Sequence, residues 1–181
     1  HIILADLVIG GKPRKVLMQA PKNGFFYVLD RVTGELLSAD RFAPVTWASH
    51  VDLKTGRPVE TEIANYSRET RLIVPAPLGA HNWHPMAYNP GTGLVYIPAM
   101  QQMFPYALSA DFKETGQFRR RDMFWNPGVD WNAALDATVA LLEQFGGELP
   151  PDRGYLKAWD PKQKKTVWEI EHPAFWNGGL L

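Results

Sequence analysis

The chain has 181 residues, and its 19 lysine and arginine side chains balance 19 aspartate and glutamate side chains, so the formal net charge is zero. This balance argues against nucleic-acid binding through phosphate neutralisation, which needs a basic surface. Hydrophobic residues make up 45% of the sequence and no stretch approaches the roughly 18 consecutive apolar residues of a membrane span, so the composition predicts a folded chain without a membrane-spanning helix.

The first predicted elements are short strands near the amino end. Two apolar runs, residues 16–20 and 25–29, flank a connection that contains Pro and Asn-Gly, which is typical of two strands joined by a tight turn. Residues 30–34, Asp-Arg-Val-Thr-Gly, predict the next turn, because aspartate can bond its own downstream backbone and glycine can adopt positive φ. Residues 35–38 then resume extended structure.

The same turn pattern returns at residues 52–56, 89–93 and 160–164. The last of these turns lies between two further predicted strands, residues 155–159 and 165–170. Short antiparallel strands with repeated turn signals favour an all-β array such as the blades of a propeller.

One segment departs from the β pattern. Residues 130–145 have an acidic start, good helix formers and a Gly-Gly stop, which predicts a helix. Residues 101–126 in front of it are predicted to be mostly irregular. We therefore expect residues 101–153 to form a loop and helix insertion that lies across a sheet face or over a site.

The cysteine count and the two ends of the chain bound its chemistry and extent. Without cysteine, the chain has no internal disulfide, no thiolate metal site and no cysteine nucleophile. It opens on His1 without a methionine and ends without a polar tail, so we expect a piece of a longer protein. No signal peptide is visible, but an internal piece would lack one in any compartment.

The densest group of chemically interesting side chains is residues 79–86, Gly-Ala-His-Asn-Trp-His-Pro-Met. His81 and His84 are spaced for a metal site on a helical turn, but the nearby prolines argue against a helix and no carboxylate accompanies them, so packing and loop hydrogen bonding are favoured. Asn82 and Trp83 can bond and stack on a planar polar ligand. Their alternative roles are an amide that holds a turn and an indole that anchors the core.

Lys22 and four aspartates are the remaining candidates. Lys22 lies between a proline and an Asn-Gly pair, where it either holds a cation at a fixed point near a site or is a solvated turn lysine. A carboxylate pair of the glycosidase kind would need two of the aspartates of the predicted insertion, and nothing in the sequence fixes their separation. These aspartates are Asp111, Asp122, Asp130 and Asp136. The sequence has no serine nucleophile elbow, phosphate-binding loop or dinucleotide fingerprint.

Four segments resemble the pyrroloquinoline quinone (PQQ)-dependent alcohol dehydrogenases, the quinohaemoprotein type included. They are residues 15–31, 79–84, 89–98 and 176–179. The resemblance extends over nearly the whole chain and is weakest from about residue 101 to residue 153.

The resemblance implies a partial eight-bladed β-propeller, so that residues 1–181 would form about three to four antiparallel blades with one inserted helix, truncated at both ends. Blades of this family interlock through a tryptophan-docking motif. Residues 158–168 look like one copy, with Lys164 where the pattern has glycine, and the copy around residues 30–35 lacks the expected tryptophan. Three tryptophans near the carboxyl end are expected on an exposed blade face. They are Trp159, Trp168 and Trp176.

For chemistry, the resemblance implies oxidation of primary alcohols to aldehydes by PQQ and Ca²⁺, with Lys22 at the quinone oxygens and Asn82 and Trp83 as further cofactor contacts. The family's catalytic aspartate, Ca²⁺ ligands and adjacent-cysteine disulfide lie upstream of this chain. No catalytic or metal-binding residue is therefore assigned here, and the chain alone is expected to be inactive.

The resemblance also implies a periplasmic location and electron transfer to a cytochrome c or to a haem c domain of the full-length protein, although this chain has no Cys-x-x-Cys-His motif. Two alternatives remain at this stage. One is a non-catalytic β-propeller that serves as a binding or assembly module, and the other is a carbohydrate-active enzyme.

Overall fold

The fold consists mainly of short antiparallel strands, which confirms the all-β prediction. The computed structural model describes residues 1–116, 128–137, 141–142, 147 and 151–181. Within these residues the strands are β1 (Ile3–Ile9), β2 (Lys12–Gln19), β3 (Phe25–Asp30), β4 (Leu36–Arg41), β5 (Ala48–Val51), β6 (Pro58–Glu60), β7 (Arg71–Ile73), β8 (Ala87–Asn89), β9 (Leu94–Gln101), β10 (Phe104–Tyr106), β11 (Arg153–Asp160) and β12 (Lys165–His172). The described residues also include a 3₁₀ turn (Glu62–Ala64), two short helices, α1 (Ala110–Thr115) and α2 (Trp131–Asp136), and helical residues 141–142.

The strands form two four-stranded sheets and two smaller ones. The first sheet has the order β1-β2-β3-β4 and the second has the order β12-β11-β9-β8, and every neighbouring pair in them is antiparallel. The pairs β5-β6 and β7-β10 form the two-stranded sheets. Four-stranded antiparallel sheets of this kind are the unit from which propeller blades are built.

The two four-stranded sheets share one hydrophobic core. Val16 and Phe26 from the first sheet lie in the same buried cluster as Val95, Ile97 and Trp159 from the second. The rings of Phe26 and Trp159 are 5.6 Å apart between centroids. Burial of each large apolar side chain of this kind contributes about 1.5–3 kcal/mol, so this cluster fixes the relative position of the strand ends that carry the candidate site.

The four predicted turns are confirmed, and they have the same hydrogen bonds. In each turn the side chain of the first residue accepts a bond from the backbone N–H two positions on, at 2.8–2.9 Å. The N–H of the fifth residue donates to the backbone carbonyl of the first, at 2.8 Å in all four. The first residues are Asp30, Asp52, Asn89 and Asp160.

The insertion differs in part from its prediction. Asp130 caps α2, because its Oδ1 accepts bonds from the N–H groups of Asn132 and Ala133, both at 3.1 Å. The predicted helix over residues 130–145 runs partly outside the described residues, and α2 with residues 141–142 is the part of it that the structure describes. The expectation of one inserted helix after irregular chain is corrected, because α1 and β10 lie where irregular chain was predicted. No helix in the described part of the chain is long and apolar enough to cross a membrane.

Candidate functional site

Lys22 follows the end of β2 and lies against the β7–β8 loop, which comprises residues 74–86. Its backbone carbonyl accepts a 2.9 Å bond from Ala80 N–H, and its Nζ donates to Pro77 O at 3.3 Å. Gly79 makes this approach feasible, because a Cβ at Gly79 would lie 2.5 Å from the Lys22 Cβ and 2.6 Å from its Cα. The loop therefore lies directly on the lysine backbone and holds the ammonium group at one end.

Asn82 lies in the same loop and is anchored beside Lys22. Its Nδ2 donates to Leu78 O at 2.8 Å, and its Oδ1 accepts a 2.9 Å bond from Trp83 N–H. Because Lys22 Nζ bonds the carbonyl of Pro77, the two side chains are attached to consecutive peptide carbonyls. The structure thus brings together two residues that lie 60 positions apart in the sequence, and it shows the turn-holding role of the amide.

Trp83 does not lie in the core, because 67% of it is exposed. Its ring stacks on His84 with centroids 4.5 Å apart and planes 20° apart. A second aromatic contact of the His84 ring is an edge-on one with Trp176, also at 4.5 Å between centroids. Trp176 is brought there by the last residues of the chain, since Leu180 N–H donates to Pro85 O at 3.0 Å. The sequence predicts that Trp176 is exposed, but no local signal pairs it with His84.

His81 and His84 have structural roles, as the packing interpretation predicted, and both are only 1% exposed. The His81 ring nitrogens contact the carbonyl oxygens of Ala20 and His84, at 2.5 and 2.7 Å. Burial lowers the pKa of both rings, and in His81 the two carbonyl contacts oppose this effect. Within the described residues the His84 ring nitrogens have no hydrogen-bond partner, and no three His, Cys, Asp or Glu side chains are grouped as a metal site.

The chemical character of the site follows from its donors. An ammonium carries three N–H protons and an amide nitrogen two, and Lys22 and Asn82 each use one of these on a loop carbonyl. Among the described ion pairs, none involves Lys22. Among the described residues the site therefore offers a positive charge, N–H protons beyond those bonded to the loop, and an exposed indole face. This set suits a flat ligand with quinone or carboxylate oxygens and does not suit a metal cation.

The aspartates of the insertion do not form a recognisable carboxylate pair in the described residues. Asp130 caps α2 through its side chain, and Asp136 is exposed at the other end of that helix. Asp122 and the side chain of Asp111 lie outside what the structure describes. The structure thus provides no support for the carbohydrate-active alternative.

Comparison with known proteins identifies close relatives along the whole chain, although no family model matches it. Quinohaemoprotein alcohol dehydrogenase ADH IIB of Pseudomonas putida is 49% identical over 181 residues, which are 100% of this chain and 24% of that protein. The crystal structure of quinohaemoprotein alcohol dehydrogenase from Comamonas testosteroni matches with a TM-score of 0.79 and 40% identity, over 98% of this chain and 25% of the other. A europium-containing methanol dehydrogenase matches with a TM-score of 0.73 and 25% identity, over 97% of this chain and 28% of the other.

These matches fit the geometry. The chain spans about a quarter of the length of the curated relatives it matches, and its fold agrees with that of two solved quinohaemoprotein alcohol dehydrogenases at TM-scores of 0.78 and 0.79. The resemblance to the alcohol dehydrogenases of this type is therefore confirmed, and the chain is homologous over its whole length to about a quarter of the quinohaemoprotein alcohol dehydrogenases.

Proposed function

We propose that the protein containing this chain oxidises primary alcohols to aldehydes with PQQ and Ca²⁺, and that Lys22, Asn82 and Trp83 bind the PQQ. The observation that carries the proposal is the pairing of Lys22 Nζ and Asn82 Nδ2 on the consecutive carbonyls of Pro77 and Leu78. Relatives that are 42–49% identical to this chain are alcohol dehydrogenases by name, and one of them is a 1-butanol dehydrogenase (cytochrome c).

In this proposal Lys22 supplies electrostatic stabilisation. PQQ, when bound, supplies an ortho-quinone that accepts hydride from the alcohol, with Ca²⁺ as a Lewis acid. The Lys22 ammonium would donate to a quinone oxygen and favour the negative charge that develops there. Its anchor on Pro77 O limits the positions that the ammonium can reach, which reduces the reorganisation needed during the reaction.

Asn82 and Trp83 would orient the ligand. The second Nδ2 proton of Asn82 is free to bond an oxygen of the cofactor while the first remains on Leu78 O. The exposed ring of Trp83 offers an apolar face next to these donors, and its stacking on His84 holds that face in one orientation. Ca²⁺ would be held by residues outside this chain.

The wider architecture belongs to the same proposal. We infer that each four-stranded sheet is one blade of an eight-bladed propeller and that residues 1–181 contribute about three to four blades, with residues 101–153 as an insertion. The whole protein would act in the periplasm and pass electrons to a cytochrome c or to its own haem c domain. Release of PQQ-dependent activity by osmotic shock would support the location, and activity confined to the cytoplasmic fraction would contradict it.

The decisive experiment removes the ammonium group of Lys22. In the full-length protein loaded with PQQ and Ca²⁺, Lys22→Ala is expected to lower kcat by more than it weakens PQQ binding, because a donor at a developing charge counts more in the transition state. Lys54→Ala, which changes an exposed turn lysine, is the matched control and should leave both unchanged. Unchanged turnover of Lys22→Ala at full PQQ occupancy would exclude the role. If the loaded wild-type protein reduces no dye with any small alcohol, the non-catalytic module is the better description.

A further inference from the structure

His81 is a buried residue that joins two separate segments of the candidate site. One ring nitrogen contacts the carbonyl of Ala20, which lies two residues before Lys22 at the end of β2. The other contacts the carbonyl of His84, on the far side of Asn82 and Trp83 in the β7–β8 loop. The ring is 1% exposed, so water does not compete for these contacts.

The two contacts have different consequences. The contact with Ala20 ties the loop to the strand that carries Lys22, next to the bond from Ala80 N–H to Lys22 O. The contact with His84 spans three residues and closes the turn that contains Asn82 and Trp83. A carbonyl oxygen only accepts, so each contact is a hydrogen bond when the facing nitrogen carries a proton.

The neighbouring histidine shows that burial alone does not require such contacts. His84 is equally buried, yet within the described residues its ring nitrogens have no hydrogen-bond partner, and the ring is held by the two indoles. A ring of similar size without nitrogen would meet the packing requirement at His84. A neutral ring has one N–H, so at His81 the same change would remove the hydrogen bond to one of the two buried carbonyls and the polar contact with the other, which is costly.

We propose that His81 is a positioning residue that sets the distance between the Lys22 ammonium and the Asn82–Trp83 turn by holding the β7–β8 loop on the end of β2. Its effect on turnover rests on the proposed function, whereas its effect on the loop does not. His81 touches neither substrate nor cofactor in this proposal, and it acts through Lys22.

Three substitutions separate the two contacts in the full-length protein. His81→Phe removes both and is expected to lower kcat by about 100-fold, the order of loss for an ångström-scale misplacement of a catalytic group. His81→Asn places an amide near the position of Nδ1 and keeps the bond to Ala20, while His81→Gln places one near Nε2 and keeps the bond to His84. Asn is expected to restore more of kcat than Gln, because it keeps the connection to the Lys22 strand. The reverse order would overturn the proposal.

A double-mutant cycle distinguishes positioning from general destabilisation. In the Lys22→Ala background, His81→Phe should lower kcat by less than threefold, because the group that it positions is already absent. Equal losses in both backgrounds would contradict action through Lys22. His84→Phe, which keeps a stacked ring, is the matched control and should retain kcat within about threefold of wild type. A loss as large as that of His81→Phe would show that any change in this buried pair has the same effect.

Hydrogen exchange gives a readout that needs no activity. In the apo protein, His81→Phe should speed amide exchange at least tenfold at Ala80 and Met100, the donors that tie the loop to Lys22 and β9, and His84→Phe should not. If the wild-type protein is inactive but this difference is observed, the proposed function fails and the positioning role stands. If exchange at these amides is unchanged by His81→Phe, the positioning role fails whatever the activity. If the His81→Phe protein does not fold, the same exchange measurement is made on the His81→Asn and His81→Gln proteins, and it decides whether the positioning role stands.

Discussion

At the scale of single residues, the four matched turns show how a side chain at the fifth position affects the stability of the fold. The fifth turn residue has positive φ in all of them: 80° at Gly34, 69° at Gly56, 72° at Gly93 and 60° at Lys164. A side chain in this region is strained by the contact of Cβ with the backbone. The Lys164 ammonium offsets little of that strain, because its distance of 4.0 Å from Asp40 is that of a weak exposed ion pair.

We therefore predict that Lys164→Gly stabilises the protein by about 0.5–1 kcal/mol, the relief of strain being reduced by the greater freedom of glycine in the unfolded chain. Chemical denaturation measures the change. Gly56→Lys provides the reciprocal control, since nothing lies within 4 Å of a Cβ built at that position, and it should destabilise by a similar amount. A Lys164→Gly protein less stable than wild type would show that the lysine side chain makes a larger contribution than its contacts indicate.

Asp30 permits a second prediction, because Asn89 performs the same turn role without charge. The hydrogen bond from Arg14, followed by the backbone N–H groups of Val32 and Thr33, lowers the pKa of Asp30 below its usual 3.8. A carboxyl with a lowered folded pKa stabilises the protein above its unfolded pKa, and this contribution is lost as pH falls through the folded pKa. Asp30→Asn should therefore be less stable than wild type at neutral pH, with the difference closing below about pH 4. Urea denaturation at several pH values measures this, and a difference independent of pH would refute the assignment to the ion pair.

At the scale of elements, the β7–β8 loop depends on one glycine. Gly79 has φ 88°, and a Cβ there would lie within 2.6 Å of three Lys22 atoms. Gly11 shares the positive φ, at 76°, but has nothing within 4 Å of its Cβ position. Substitutions at these two glycines therefore distinguish the effect of backbone strain from that of steric contact with Lys22.

Gly79→Ala and Gly11→Ala are both expected to lose about 1 kcal/mol of stability from backbone strain. Only Gly79→Ala should also displace the loop from Lys22 and weaken PQQ binding in the full-length protein. Thermal unfolding and PQQ titration of both variants measure the two effects. Equal PQQ affinity of the two variants would mean that contact between the loop and Lys22 is not needed for binding.

The elements also show how far the sequence could predict the structure. Strands β2, β3, β11 and β12 were predicted because turn residues lie next to apolar runs, and those signals are local. Strand β1 was missed, although its hairpin with β2 turns through two positive-φ glycines. The three-residue strands β6, β7, β8 and β10 are too short to show a period. The placement of Lys22 beside Pro77, and of Trp83 near Trp176, depends on contacts between distant segments that no local pattern encodes.

At the scale of the whole molecule, two long strands lie at the edges of their sheets with apolar side chains exposed. β12 is the outer strand of the second sheet and exposes Val167, Trp168 and Ile170. β1 is the outer strand of the first sheet and exposes Leu4 and Val8. Edge strands with exposed apolar residues pair readily with other chains. The expectation of three exposed tryptophans is wrong for Trp159, which is 2% exposed because it packs in the core against Phe26, and it holds for Trp168 and Trp176.

The isolated chain is accordingly expected to self-associate as its concentration rises, because no other strand in the described residues pairs with the outer edge of either strand. Sedimentation velocity of residues 1–181 over a range of concentrations measures this. The double variant Val167→Lys with Ile170→Lys should reduce the association, since like charges on an edge strand oppose pairing, while Val32→Lys, which changes an apolar turn residue with 73% exposure, should not. A monomer at every concentration would contradict the prediction. Association reduced equally by both variants would show that it depends on net charge and not on β12, and the interface would then have to be sought on another surface of the two sheets.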